Sequence, residues 1–345
     1  MKTLFSRALG LLALCQIGFT AAFAWDYEGH RMVNQLALAT LPADFPAFVR
    51  TPAARERIAY LSGDPDRWRN VPDELPLSQL NGTDHYLDLE ELEGFGLSPQ
   101  TLPIFRYDFA ARLAVARAAH PERFAPIDET RNKDHSRELI GFLPWAIVEN
   151  CGKLRSGFAT LKAFEQHGGT PEEIANAQQN VLYIMGVMGH YVGDAAQPLH
   201  TTIYHHGWLG ANPHGYTTNY SIHSWIDGGY LAKTGGLKME TMIGSNHQAQ
   251  LVGNPAKPDE LFRQVTTYIL AQHNQVEPLY QLYKEGKLSA EGGNGLEGRA
   301  FLEGQLARGG QMLGNLWYSA WQLAPEDNYL KARLADRAAV NGATK

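Results

Sequence analysis

The chain has 345 residues, 44% hydrophobic and 19% charged, with a formal net charge of -6. That composition is ordinary for a globular protein, and the length suits one large domain or two small ones. The acidic balance excludes a protein that holds nucleic acid mainly through a basic surface, so a polyanionic ligand must be met by something else, such as bound cations.

In chain order, residues 1–24 read as a secretory signal. Lys2 and Arg7 precede an apolar run from Ala8 to about Phe19, and Ala22-Phe23-Ala24 has the small-x-small pattern of a cleavage site. The run is short for a membrane span and a polar segment follows at once, which argues against a stable anchor. A lipoprotein signal fails at Cys15, because Leu14 stands where a small residue is expected. The expectation is a secreted or periplasmic protein that begins at Trp25. Losing Lys2 and Arg7 leaves 28 basic against 36 acidic residues, a net charge of -8. It also leaves Cys151 alone, so no intrachain disulfide forms, and stability has to come from the core and from metal.

Apolar residues at helical spacing mark Trp25 to Leu41, Phe105 to Ala119, and Leu143 to Phe164. Thr170-Pro171-Glu172-Glu173 has the form of an N-cap with proline and acids in the first turn. It opens a helix that runs from Ile174 to about Ala196. Leu261 to Tyr283 and Ala300 to Leu323 complete the set. Alternating strand patterns are scarce, which predicts one all-α domain over 25–345 with seven to nine helices. Glycine and proline place loops at His205 to Ser221, at Gly235-Gly236 and at Gly292 to Gly298. The stretch 90–137 reads as a surface elaboration, and Ala324 onward as a frayed tail.

The residues with chemical potential cluster in short blocks. His190 and Asp194 stand at i and i+4, on one helical face, and Pro198 ends or bends the helix so that His200 is re-aimed. His223 and Asp227 repeat the spacing. Imidazole and carboxylate are both metal ligands, although one such pair is more often an ordinary helix pair. Trp25 adds a different donor. A new N-terminus has an α-amino group with a pKa near 7.7–8.0 that can deprotonate in favour of a metal, and His30 follows about one and a half turns later. The remaining loop histidines, His205, His206 and His214, read as solvated.

Five blocks together resemble the fungal-type zinc-dependent single-strand-specific nucleases, which share a superfamily with bacterial zinc phospholipase C. They are Trp25 through Gly29-His30, Pro65-Asp66-Arg67-Trp68-Arg69, Asp84-His85-Tyr86-Leu87-Asp88, His190 to His200, and His223-Ser224-Trp225-Ile226-Asp227, in the family's order. The resemblance implies a mostly helical fold with three Zn2+ ions in a cleft. Asp66, His85, His190 and Asp194 would hold one ion. The Trp25 amine and carbonyl, His30 and Asp194 would hold a second, with a water or hydroxide between the pair. His200, His223 and Asp227 would hold the third. Asp64 competes with Asp66 for the first carboxylate, and Asp66 is preferred because Arg69 then falls in register. The family's disulfides have no counterpart here.

The function that this resemblance implies is hydrolysis of phosphodiester bonds in single-stranded DNA and RNA. Asp66 and Arg69 would serve catalysis, Arg69 by steadying charge on the phosphoryl oxygens. Tyr86 would stack on a base and Asp88 would read its edge. A zinc phospholipase C is the alternative, and a zinc-binding protein without turnover is a third reading. No obligate protein partner is evident.

Overall fold

The protein is described here from a computed structural model, in which residues 25–343 are described, with side chains to residue 340. The expected signal segment and its cleavage site after Ala24 lie outside the described residues. Among the described residues there is no strand, only an isolated bridge between Asn254 and Lys257. No described helix is long and apolar enough to cross a membrane.

The helices are α1 (Tyr27–Thr40), α2 (Pro52–Leu61), α3 (Asp64–Arg69), α4 (Leu75–Asp84), α5 (Arg106–Ala119), α6 (Leu143–His167) and α7 (Pro171–Ala196), followed by α8 (Ile222–Ser224), α9 (Tyr230–Lys233), α10 (Met239–Met242), α11 (Glu260–His273), α12 (Val276–Lys284), α13 (Arg299–Gln322) and α14 (Asn328–Ala343). A single π-turn, Trp225–Gly229, joins α8 to α9. Fourteen α segments among the described residues exceed the seven to nine expected, partly because short helices such as α3 and α8 show no full period of apolar spacing.

Local chemistry explains the long elements. Asp26 caps α1 by accepting from the Gly29 amide at 3.3 Å. Thr170 and Glu173 form a reciprocal capping box at the start of α7, as the motif predicted. α6, α7, α1 and α13 share one core that contains Trp25, Trp145, Phe158 and Trp317, and the domain is a single compact unit. Cys151 is buried and unbridged in that core.

Three expectations change. Leu261 to Tyr283 is two helices, because the chain turns at Asn274 and Gln275, where the last carbonyls of α11 are closed by local bonds. The tail after Ala324 is helical rather than frayed. Leu334 buries its side chain, and Arg337 pairs with Glu173 at 2.8 Å and donates to the Gly168 carbonyl, closing the end of α6 and the start of α7. The 90–137 elaboration is anchored, not merely superficial. Phe109 of α5 stacks on Trp145 of α6 with centroids 4.4 Å apart, and the Trp145 indole donates to the Pro103 carbonyl.

Two glycines in α7 allow α1 to approach closely enough for the site to form. A Cβ at Gly193 would lie 2.7 Å from His30 Nδ1, and one at Gly189 would collide with the Asn34 amide. Asn34 uses the contact to donate to the Ile58 carbonyl at 2.8 Å and the Gly186 carbonyl at 3.1 Å, joining α1, α2 and α7.

Candidate metal centre

Eight of the expected ligands converge. Three buried groups of side chains have ligand atoms within 4.8 Å of one another: His30, His190 and Asp194; Asp66, His85 and His190; and His200, His223 and Asp227. They arrive from α1, α3, the end of α4, α7, the turn after α7, and α8 with its π-turn. No local rule brings these segments together; the shared helical core does.

Asp194 stands at the centre. Its Oδ2 is 3.0 Å from His85 Nδ1 and 3.3 Å from His190 Nε2, and its Oδ1 is 3.5 Å from His30 Nε2. The two oxygens therefore face different histidines. His190 belongs to two of the groups, and its ring stacks on His30 with centroids 3.9 Å apart. In the third group, His223 Nε2 is 3.0 Å from His200 Nε2 and 3.2 Å from Asp227 Oδ2. The short 3-10 turn at Pro198–Thr201 does what the proline predicted: it ends α7 and turns His200 back towards His85.

Neighbouring groups set the tautomers. His190 Nδ1 donates to the Ser62 carbonyl at 2.6 Å, and His200 Nδ1 donates to the His85 carbonyl at 2.7 Å. Each bond leaves the Nε2 lone pair facing the centre, the arrangement that orients ligating histidines. Leu87 N in turn donates to the His200 carbonyl at 3.0 Å, so the two ligand-bearing segments hold each other. Gln197 donates to Asp227 Oδ1 at 2.5 Å and leaves Oδ2 towards His223.

The electrostatics fit a buried cation site. Burial pushes the His85, His190 and His223 pKa values well below the usual range, and that of His200 to about 3. The rings are therefore neutral and able to ligate at neutral pH. Burial also raises the Asp194 and Asp227 carboxyls well above their ordinary range, and raises Asp66 against the pull of Arg69. Both Asp194 oxygens and Asp227 Oδ2 have no hydrogen-bond partner among the described residues. A buried carboxylate in that condition is costly unless a cation meets it. Bonds of about 2.0–2.2 Å to a tetrahedral ion would set ligand atoms roughly 3.3 Å apart, close to the spacings around Asp194 and Asp227.

The Trp25 side chain is fully buried in the core, and its backbone enters the site region: the next amide, Asp26 N, donates to the Asp227 carbonyl at 3.1 Å. Asp64 is drawn away from the centre by an ion pair with Arg67, whereas Asp66 faces His85 at 3.8 Å and His190 at 3.9 Å. Arg69 pairs with Asp66 at 2.7 Å and also lines the cleft above the groups.

That cleft has a volume of about 910 Å³, and His85, His200 and His223 open into it. Tyr86 and Asp88 line it. Burial and the adjacent Glu91 and Glu90 raise the Asp88 carboxyl well above its usual range, which increases its share of the neutral form and so its capacity to donate as well as accept.

The structure also corrects the reading of two loop histidines. His205 and His206 line the cleft, with ring centroids 6.0 and 5.3 Å from that of His223, whereas His214 stacks on Tyr216. Gln197 was also missed. The sequence signal was its position inside the His190 to His200 block, between Asp194 and Pro198. His205 and His206 offered only an adjacent pair in a polar loop, which has no periodicity to read.

Comparison of the chain with models of known protein families gives no match, and a search of curated proteins likewise gives none.

Proposed function

We propose that the protein is a zinc-dependent phosphodiesterase that cleaves single-stranded nucleic acid. The observation that carries this reading is the convergence of eight buried histidine and aspartate side chains, three of which, His85, His200 and His223, open into a cleft also lined by Arg69, Tyr86 and Asp88. Only nitrogen and oxygen donors are involved, mostly imidazoles with carboxylates, which suits zinc, and three protein ligands per group leave a position for water or substrate. Bound zinc would supply an acidified water as nucleophile and neutralise phosphate charge, which an acidic chain needs in order to hold a polyanion.

The chain's own residues have separate tasks in this reading. Asp66, His85, His190, Asp194 and His30 would hold the paired positions, and His200, His223 and Asp227 would hold the third. The α-amino group of a chain starting at Trp25 would complete the second position. Arg69 lies over the same cleft, and its guanidinium can meet charge that grows on the phosphoryl oxygens while Asp66 holds it in place. The Tyr86 ring offers a stacking face, and the Asp88 carboxyl offers a hydrogen bond to a base edge. A base in a duplex is not free to enter such a pocket, which favours single strands.

The test is turnover by the chain beginning at Trp25 on single-stranded DNA, RNA and a phosphatidylcholine analogue, with and without chelator. Zinc-dependent cleavage of the nucleic acids is expected. Activity on the lipid analogue alone would assign a phospholipase C, and zinc-replete protein that turns over none of them would leave a binding protein.

A further inference from the structure

We infer that the segment between Phe95 and Arg137 is a second part of the substrate cleft, which holds phosphates and bases of a single strand away from the His/Asp centre. The inference rests on the proposed nuclease reading and extends it. The same continuous cleft that His85, His200 and His223 open into is also lined by residues of this segment.

The wall combines two chemistries. Phe124 stacks on Phe95 with centroids 4.7 Å apart, and the Arg117 guanidinium lies over both rings. Beside them, Arg123, Arg131 and Arg137 are exposed and line the cleft. Arg137 Nε donates to the Arg131 carbonyl at 3.0 Å, which ties two of these positions together. Of the segment's acids that line the cleft, Asp128 accepts from the Thr130 amide and Asp134 from the Ser136 amide and hydroxyl, while the neighbouring Glu122 lies 4.0 Å from Arg123. Forked guanidiniums match phosphate oxygens, and the half-buried Phe124, packed on Phe95 and Arg117, adds aromatic surface beside them. The wall is also held in place, because α5 is pinned to α6 through Phe109 and Trp145.

The experiment is fluorescence anisotropy on the chain beginning at Trp25, both chelated and zinc-loaded. The probes are a labelled oligothymidylate of about twenty nucleotides and a labelled dinucleotide, each titrated across a range of salt. Changing Arg123, Arg131 and Arg137 together to alanine should weaken binding of the long strand about tenfold to hundredfold, and binding of the dinucleotide at least about tenfold less than that. The log–log salt slope should become shallower by about 2, since each phosphate contact on a single strand contributes roughly 0.7. The triple lysine variant keeps the charge and should keep the slope, and Lys331→Ala serves as a control far from the cleft. A Kd for the long strand within about twofold of wild type overturns the inference, as does equal weakening of the dinucleotide. Wild-type binding to phosphatidylserine vesicles but not to the oligonucleotide also overturns it. Binding by chelated protein does not depend on turnover, so an inactive wild type would refute the proposed function while this comparison still decides the wall.

Discussion

Replacing Asp194 with asparagine separates two demands that meet on one side chain. The carboxyl is fully buried, its oxygens face His30 on one side and His85 and His190 on the other, and neither oxygen has a hydrogen-bond partner among the described residues. Without metal, the carboxylate is therefore a liability. An amide removes the charge and can donate to the bare Nε2 of His190. Relieving a buried, unsatisfied polar group is worth about 1–3 kcal/mol. At about 2.1 cal/mol/K per residue, unfolding the described chain carries an entropy near 0.7 kcal/mol/K, so chelated Asp194→Asn should melt about 2–5 °C above chelated wild type. With zinc the order reverses. Each ion present at about a hundredfold over its Kd adds about 2.7 kcal/mol, so losing two ions removes roughly 5 kcal/mol, or about 8 °C. Calorimetry with and without chelator, together with elemental zinc per chain, measures both effects. A variant that keeps wild-type zinc content and the wild-type zinc-dependent rise in Tm refutes the proposal that Asp194 serves two ions. A chelated variant that melts below wild type refutes the claim that the metal-free carboxylate is destabilising.

Gly193→Ala puts a methyl group 2.7 Å from His30 Nδ1, so His30 must move; a stability loss of about 1–3 kcal/mol and reduced zinc content are expected, and unchanged zinc by elemental analysis would count against the close approach of α1 and α7. A single residue retained before Trp25 removes the free α-amino group, and activity should fall at least about tenfold; full activity in the extended protein, its N-terminus checked by mass, would contradict amine ligation. Asp84 gives a pH test that leaves the ligands themselves untouched. Burial outweighs its pairing with Arg106 and lifts its pKa to about 6, so its contribution to stability is fully present below the ordinary value of 3.8 and is lost as pH rises through 6. Asp84→Asn should therefore gain on wild type by up to about 3 kcal/mol between pH 4 and pH 7 in denaturant titrations, whereas a constant difference across that range would refute the shift.

Which parts of this were legible in the chain depends on how far each feature reaches. The capping box at Thr170, the span of α7, the pairing of His190 with Asp194 and of His223 with Asp227, and the break at Pro198 all follow from rules that act within a few residues. Each was readable, because hydrogen bonding and helical periodicity are short-range. The choice between Asp64 and Asp66 follows from register with a family pattern, and in the fold Asp64 turns onto Arg67 while Asp66 faces His85 and His190. By contrast, α14 looked like a tail because its partners, Glu173 and Gly168, lie far back in the sequence.

By itself, then, the sequence determined the helical class, the long helices and the inventory of potential ligands. Only the tertiary structure decided that the two oxygens of Asp194 face different histidines, that His205 and His206 join the cleft, and that the 90–137 segment walls it. The physical reason is separation. His85 and His190 meet across 105 residues and His190 and Ser62 across 128, and contacts of that length are set by how α1, α6, α7 and α13 share one core rather than by any local pattern.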